Sequence, residues 1–469
     1  MMYFLFKKIR DKYFAEGGYG EFLRLAIPLI LTTSSWSIQH FVDRMFLSWY
    51  SAASVASAMS AGALNFTFLS FFIGIVTYTS TFVAQYYGAN IYNKIGEIIW
   101  QGIYLSLIGS VVIVSLILFS DNVFNIIGHV DEIKKNEVIY FNILCSGALP
   151  MLLSGCLSSF YSGIGKTWTI MWVNIVVTIV NIVFDYLLIF GKLFFPELGI
   201  AGAAIATVFS SVVNLFIYII MIFRRDNEQY KMLSGYKFKL LLFVRLIKFG
   251  FPAGLQFFLD MAGFSLFLLF IGKIGVIELA ATSIAFNVST LVFMPMIGSG
   301  IAVSIMVGQY LGSNKSHFAE KSVYSGFTIA FMYMFTVSAC YFFFPEIFIN
   351  PFIKNEMVGD YKVIKDLAII LLKFVAVYSL FDTFNIMFSA ALKGAGDTKY
   401  IMTVIIILTT FILVLPAYFT VYYFKGNIFI LWSIFSIYIT FLGLSFYMRF
   451  YIGKWKAMRV IESKEVVGI

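Results

Sequence analysis

Charge is scarce in this sequence: Asp, Glu, Lys and Arg make up 12% of the 469 residues, against 61% hydrophobic. A water-soluble core cannot hide so much apolar surface, which excludes a soluble globular fold. Cysteine is rare too. Cys145, Cys156 and Cys340 are odd in number and lie in apolar segments, which excludes a disulfide framework or a cysteine-based metal cluster and leaves them as packing residues. There are only three histidines, His40, His129 and His317. A glycine-rich phosphate loop ending in Lys and Ser/Thr is missing, as is any nucleophile motif. An enzyme, an ATP-driven pump and a bound cofactor therefore have no support. The amino end carries Lys7, Lys8, Arg10 and Lys12 but no apolar run with a small-residue cleavage site, so it reads as a retained cytoplasmic leader.

What remains is apolar sequence in blocks. A spanning helix needs about 20 apolar residues plus a connection, so the chain holds roughly a dozen spans and no sizeable soluble domain. Apolar runs bounded by polar breaks place them near 22–45, 54–84, 97–119, 138–162, 168–190, 199–223, 243–271, 280–310, 322–344, 364–392, 399–423 and 427–449. With the amino end inside, 23 of the 33 Lys and Arg fall in cytoplasmic segments and 9 on the opposite side. This bias puts both termini in the cytoplasm. It also accounts for the net charge of +9 as topology, with no nucleic-acid partner implied.

The chain repeats itself. An offset of 224 relates Pro28 to Pro252, Ile73-Gly74 to Ile297-Gly298, and Val83-Ala-Gln-Tyr-Tyr-Gly88-Ala-Asn90 to Val307-Gly-Gln-Tyr-Leu-Gly312-Ser-Asn314. An offset of 231 pairs Gly163-Ile-Gly165-Lys-Thr167 with Gly394-Ala-Gly396-Asp-Thr398. Six crossings return a chain to its starting side, so the halves, 1–230 and 231–469, are expected to be parallel six-helix lobes with a substrate cavity between them near the midplane. The fold class expected is an all-α membrane protein of twelve spans in two pseudo-symmetric lobes. The polar stretch from Arg224 to Lys239 reads as the linker, basic because it is cytoplasmic.

Within the spans, polar residues stand out. Asn181 and Asp185 are one helical turn apart and share a face. A carboxylate near the bilayer centre costs about 2.5–3.5 kcal/mol on the lenient insertion scale, so it faces a cavity or a partner and marks an ion path. Asp43, Asp260 and Asp382 also fall in spans, two acids per half in all. Asp43 follows His40 by three residues and precedes Arg44, which is expected to snorkel outward. Gln256 and Asp260 form a second pair four residues apart, after Pro252. Asn385 follows Asp382 by one turn, and Lys373 reads as a snorkelling cation. Thr207, in Gly202-Ala-Ala-Ile-Ala-Thr207, reads alone as part of a small-residue packing face.

These residues together resemble the multidrug and toxic compound extrusion (MATE) transporter family, from about Glu21 to Arg449. The matching motifs are Val42-Asp43, Val83-Ala-Gln-Tyr-Tyr-Gly88, Asn181-Ile-Val-Phe-Asp185 with Leu198 to Thr207, Val307-Gly-Gln-Tyr-Leu-Gly312, and Leu392-Lys-Gly-Ala-Gly-Asp-Thr398. The resemblance implies a secondary antiporter, monomeric in the cytoplasmic membrane of a bacterium. It would export cationic or amphipathic organic compounds in exchange for Na⁺ or H⁺. The family's amino-lobe cation site maps onto Asp43, Asn181, Asp185 and Thr207, the residues that would hold Na⁺. Second-lobe acids map onto Asp260, where Glu is more usual, and Asp382. Arg44 is a further departure. The alternative within the same superfamily is a lipid-linked precursor flippase, which would show more basic residues facing the cavity.

Overall fold

The computed structural model describes residues 13–222, 225–352, 360–424 and 426–462, so the basic leader from Lys7 to Lys12 and Arg224 of the linker lie outside the described residues. Among the described residues there is no strand. The first half contains α1 (Tyr19–Tyr50), α2 (Ala52–Thr77), α3 (Thr79–Gly88), α4 (Asn93–Ser115), α5 (Ser120–Ile127), α6 (Asp131–Ser146), α7 (Ala148–Gly163), α8 (Thr167–Ile189) and α9 (Ile200–Ile222). The second contains α10 (Leu240–Ile274), α11 (Val276–Gly312), α12 (Ser316–Phe343), α13 (Pro345–Ile349), α14 (Asp360–Ala395), α15 (Thr398–Leu408), α16 (Leu415–Tyr422) and α17 (Ile428–Ile452).

Ten described helical stretches are long and apolar enough to cross a bilayer, and the pair α6 and α7, bent by 44°, makes eleven. The twelfth crossing is α1, 32 residues long but polar through Thr32 to Ser35 and Gln39 to Arg44. The chain is thus an all-α membrane protein with twelve spans, each where an apolar run was expected.

Compactness groups the chain differently from a cut at 230. One unit joins Met1–Ile30 to Leu259–Arg459, and the other joins Leu31–Phe258 to Val460–Ile469. Two of the three changes of membership fall inside a long helix, a few residues after Pro28 in α1 and Pro252 in α10, and the third falls after α17, at Arg459. Proline removes a backbone donor and is a common cause of helix bending. The described part of the linker belongs to the second of these units and packs on its helices: Trp100 Nε1 donates to the Met232 carbonyl at 2.7 Å, Lys239 pairs with Glu97 at 2.6 Å, and the Tyr230 ring lies 5.1 Å from Phe160.

The repeat motifs are helix stops and helix contacts. Asn90 and Asn314 both have φ of 60°, and Ile91 N–H and Lys315 N–H reach back to the Tyr86 and Tyr310 carbonyls at 3.0 and 2.8 Å. Gly165 and Gly396 likewise have φ of 80° and 102°, with Lys166 and Asp397 N–H bonded to the Tyr161 and Leu392 carbonyls at 2.9 Å. Each closes its helix with a left-handed residue and a six-to-one hydrogen bond, which needs Gly or Asn. Gly74 and Gly298 serve contact instead. A Cβ on Gly74 would lie 2.7 Å from Gly254 Cα, and one on Gly298 would lie 2.7 Å from Ile30 N. Each glycine therefore admits the backbone just beyond a repeat proline. Gly298→Val is expected to destabilise the protein by about 1–3 kcal/mol through overpacking against backbone, seen as a lower thermal midpoint in detergent. An unchanged midpoint contradicts this packing.

The repeat also diverges informatively. Tyr310 donates to Glu21 Oε2 at 2.6 Å, within one unit. The position equivalent to Glu21 is Arg245, and there Tyr86 finds its acid in the carboxy-terminal tail: Tyr86 donates to Glu462 Oε2 at 3.1 Å while Arg245 pairs with Glu462 Oε1 at 2.6 Å.

Candidate functional site

Asn181 and Asp185 lie one turn apart on α8, both fully buried, and Asp43 of α1 is 7% exposed. With its amide nitrogen turned toward the acceptors, Asn181 Nδ2 donates to Asp43 Oδ1 at 3.1 Å and to Asp185 Oδ2 at 3.2 Å, linking α1 to α8. The Gln39 amide, one turn before Asp43 and itself buried, lies 3.2 Å from the same nitrogen. The Asp43 and Asp185 carboxyl groups also face each other closely enough to share a hydrogen bond once one of them carries a proton. The setting is apolar: Val42 and Ile182 pack on a buried cluster that includes Leu47, Ala61, Phe141 and Cys145. Small residues bring the next helix close. Gly202 lies against the Leu188 backbone, where a Cβ would come within 2.6 Å of the carbonyl, and Ala203, Ala204 and Ala206 are buried beside it.

The chemistry follows from the donor inventory. An ionised carboxylate only accepts hydrogen bonds, so two carboxyl groups in contact need a proton or a cation between them. Asp185 Oδ1 is buried with no hydrogen-bond partner among the described residues, which leaves one more acceptor position to fill. No group of three or more His, Cys, Asp or Glu side chains gathers among the described residues, so a cation here would rely on amide and hydroxyl oxygens as well.

Of the four residues expected in this lobe, the structure brings Asp43, Asn181 and Asp185 together. Thr207 is half-buried on α9, and its hydroxyl donates to the Ala203 carbonyl of its own helix at 3.1 Å. Gln39 and Tyr140 are not singled out by the sequence. Tyr140 of α6 is buried, and its hydroxyl is in electrostatic reach of both aspartates. His40, which spacing allows on the Asp43 face, is exposed, with its ring 6.0 Å from Trp36.

In the other lobe Asp382 is buried and accepts from Asn385 Nδ2 at 2.8 Å. Asp260 is half-buried and interacts with Lys393, which lies just past the expected span edge at 392 on α14, a helix that runs on to Ala395. Tyr438 is in electrostatic reach of Asp260 and Asp382, and its hydroxyl lies 3.0 Å from Thr409 Oγ1. Thr409 opens a π-helical turn, Thr409–Val414, which ends two residues before Pro416, and such turns recur at functional sites. Gln256 is buried one turn before Asp260 on α10. Lys373 is exposed, its Nζ 5.8 Å from the centre of the Phe342 ring.

Twelve membrane spans, with two buried carboxyl groups in contact within one unit, are the pattern of a polytopic membrane transporter. The MatE family model matches residues 28–187 and 252–419, two segments that begin on the repeat prolines. The probable multidrug resistance protein NorM of Thermotoga maritima is 26% identical, over 99% of each chain. The multidrug resistance protein NorM of Vibrio cholerae is 26% identical over 80% of this chain and 81% of its own length. A solved outward-facing structure of a multidrug resistance MATE family transporter of the MOP superfamily superposes with a TM-score of 0.85 at 21% identity, covering 96% of this chain and 98% of the other. The chain belongs to the MATE family, whose members are membrane transporters and not enzymes.

Proposed function

We propose that the protein is a secondary antiporter that exports cationic or amphipathic organic compounds in exchange for Na⁺ or H⁺. Asp43, Asn181, Asp185 and Thr207 form its coupling site. The observation that carries this reading is the direct contact of two buried carboxyl groups, bridged by Asn181, from two different helices. Such a pair is costly without a counter-charge, so it takes up one and releases it only when the surroundings change. One charge moving through about 100 mV supplies about 2.3 kcal/mol, enough for roughly a 50-fold gradient of a neutral compound at about 1.4 kcal/mol per decade. The kinship to NorM proteins of Thermotoga maritima and Vibrio cholerae, named for multidrug resistance, supports export of drug-like molecules.

Dye efflux from vesicles under separately imposed Na⁺ and H⁺ gradients tests this. At least one gradient is expected to drive dye out against its own concentration difference. Dye that equilibrates at the same rate under either gradient and under none contradicts antiport.

A further inference from the structure

A second buried acid lies between the coupling site and the loop preceding α6. His129 follows Gly128, which closes α5 with φ of 79°, and its Nδ1 lies 2.9 Å from Glu137 Oε1 on α6. The Glu137 side chain is fully buried, whereas that of His129 is 43% exposed. Glu137 Oε2 has no hydrogen-bond partner among the described residues. A buried acceptor left without a partner is costly, the more so when charged. Anchoring the loop would need only the His129 contact and could be made at the surface without that cost. Three residues on, and on the same face of α6, comes Tyr140, whose ring would lie 3.5 Å from a Cβ on Gly62 and whose hydroxyl is in electrostatic reach of Asp43 and Asp185. The order from surface to interior is thus His129, Glu137, Tyr140 and the aspartate pair.

We propose that His129 and Glu137 form a proton port that loads the Asp43–Asp185 pair from the face of the membrane carrying the α5–α6 loop. The inference rests on the reading of those aspartates as the coupling site, and it names the proton as an ion they carry. In the step, His129 takes a proton from solvent hydronium on Nε2 and gives the proton on Nδ1 to Glu137 Oε1, and exchange with solvent then returns the neutral ring to its Nδ1–H tautomer. Protonated Glu137 then passes its proton inward, along water beside the Tyr140 hydroxyl, to the aspartate pair and returns to carboxylate. Charge is conserved, with one proton moved in each cycle.

Few other groups compete. Of the elements packed on α6, α2 has no titratable residue and α9 only Tyr218. The turn at 116–119 has none. Lys94, Glu97 and Tyr104 lie in the first three turns of α4, away from its Ser115 end, and α7 carries Cys156 and Tyr161. Asp121 of α5 lines a surface depression with Asp131, Lys134 and Lys135 of α6, which also carries Glu132. Arg44 is in electrostatic reach of Tyr140.

The test is proton-driven dye efflux by the full-length protein in proteoliposomes, measured against pH on the loop face, together with dye affinity at equilibrium. Glu137→Gln is expected to slow proton-driven efflux about 10²-fold, the lower end of what a positioned proton-transfer group contributes. Dye affinity and its pH dependence should stay as in wild type, because the aspartate pair is intact, and Glu137→Asp should recover part of the rate. His129→Asn should move the rate profile toward lower pH. Wild-type rates and profiles in both Glu137→Gln and His129→Asn, with Asp185→Asn inactive, overturn the port and leave the coupling site standing. An Asp185→Asn protein that still pumps overturns the coupling site, and the port falls with it.

Discussion

Asp185→Asn is expected to abolish ion-driven efflux while the protein still folds and inserts. Asn is nearly isosteric with Asp and keeps an acceptor for the Asn181 amide, which donates to Asp185 Oδ2 at 3.2 Å. The substitution also removes a charge from a fully buried position, so the cost of keeping an ion there disappears with the site. What is lost is the ability of the pair to take up a proton or Na⁺ and give it back. Loss of one carboxylate leaves Asp43 alone with Asn181, Gln39 and the nearby Arg44, a set with no reason to exchange its charge during transport. Efflux under an imposed gradient should fall to the rate of empty vesicles, with the purified variant eluting as a single species in detergent. Wild-type efflux by that variant would show that coupling lies elsewhere, with Asp260 and Asp382 of the other lobe the next acids to replace.

Much of this architecture is legible in the sequence because lipid imposes strong rules. Spans must be about 20 apolar residues long, and a stop that needs a left-handed residue shows as Asn90, Asn314, Gly165 or Gly396. Asn181 and Asp185 are legible for the same reason: two polar residues one turn apart in an apolar span have few bland explanations. Gln39 and Tyr140 are not. Gln39 sits in a polar run of α1 whose spacing does not single out the residue that turns inward, and Tyr140 is one of 28 tyrosines, distinguished only by what α6 packs against. Lys393 falls just past the expected span edge at 392 because an edge read from hydropathy stops at the first charge, and α14 continues through it to Ala395. The grouping of Met1–Ile30 with the second half's helices also has no local signature beyond Pro28, since it depends on contacts far apart in sequence.

Substrate and ion are expected to weaken each other's binding. The aspartate pair is close enough to share a proton, and neutralising it removes the charge that attracts an organic cation. It also releases α1 and α8 from the strain of holding two carboxylates together. If the ion-loaded and ion-free forms differ in the shape of their helices, linkage requires the effect to be reciprocal, with a coupling typically of about 1–3 kcal/mol, or about 5- to 150-fold in affinity. The sign is fixed by the chemistry. Lowering pH, or raising Na⁺, fills the site and weakens substrate binding, while raising pH empties it and strengthens binding. The proton port through His129 and Glu137 would set how fast this equilibrium is reached, not where it lies.

The most direct measurement is the equilibrium dissociation constant of a fluorescent cationic dye for purified protein, determined across a range of pH with and without Na⁺, in wild type and in Asp185→Asn. The account predicts a dissociation constant that rises at least about fivefold as pH is lowered or Na⁺ is added, and a flat, ion-independent value in the variant. A wild-type affinity indifferent to both ions would contradict competition at the aspartate pair.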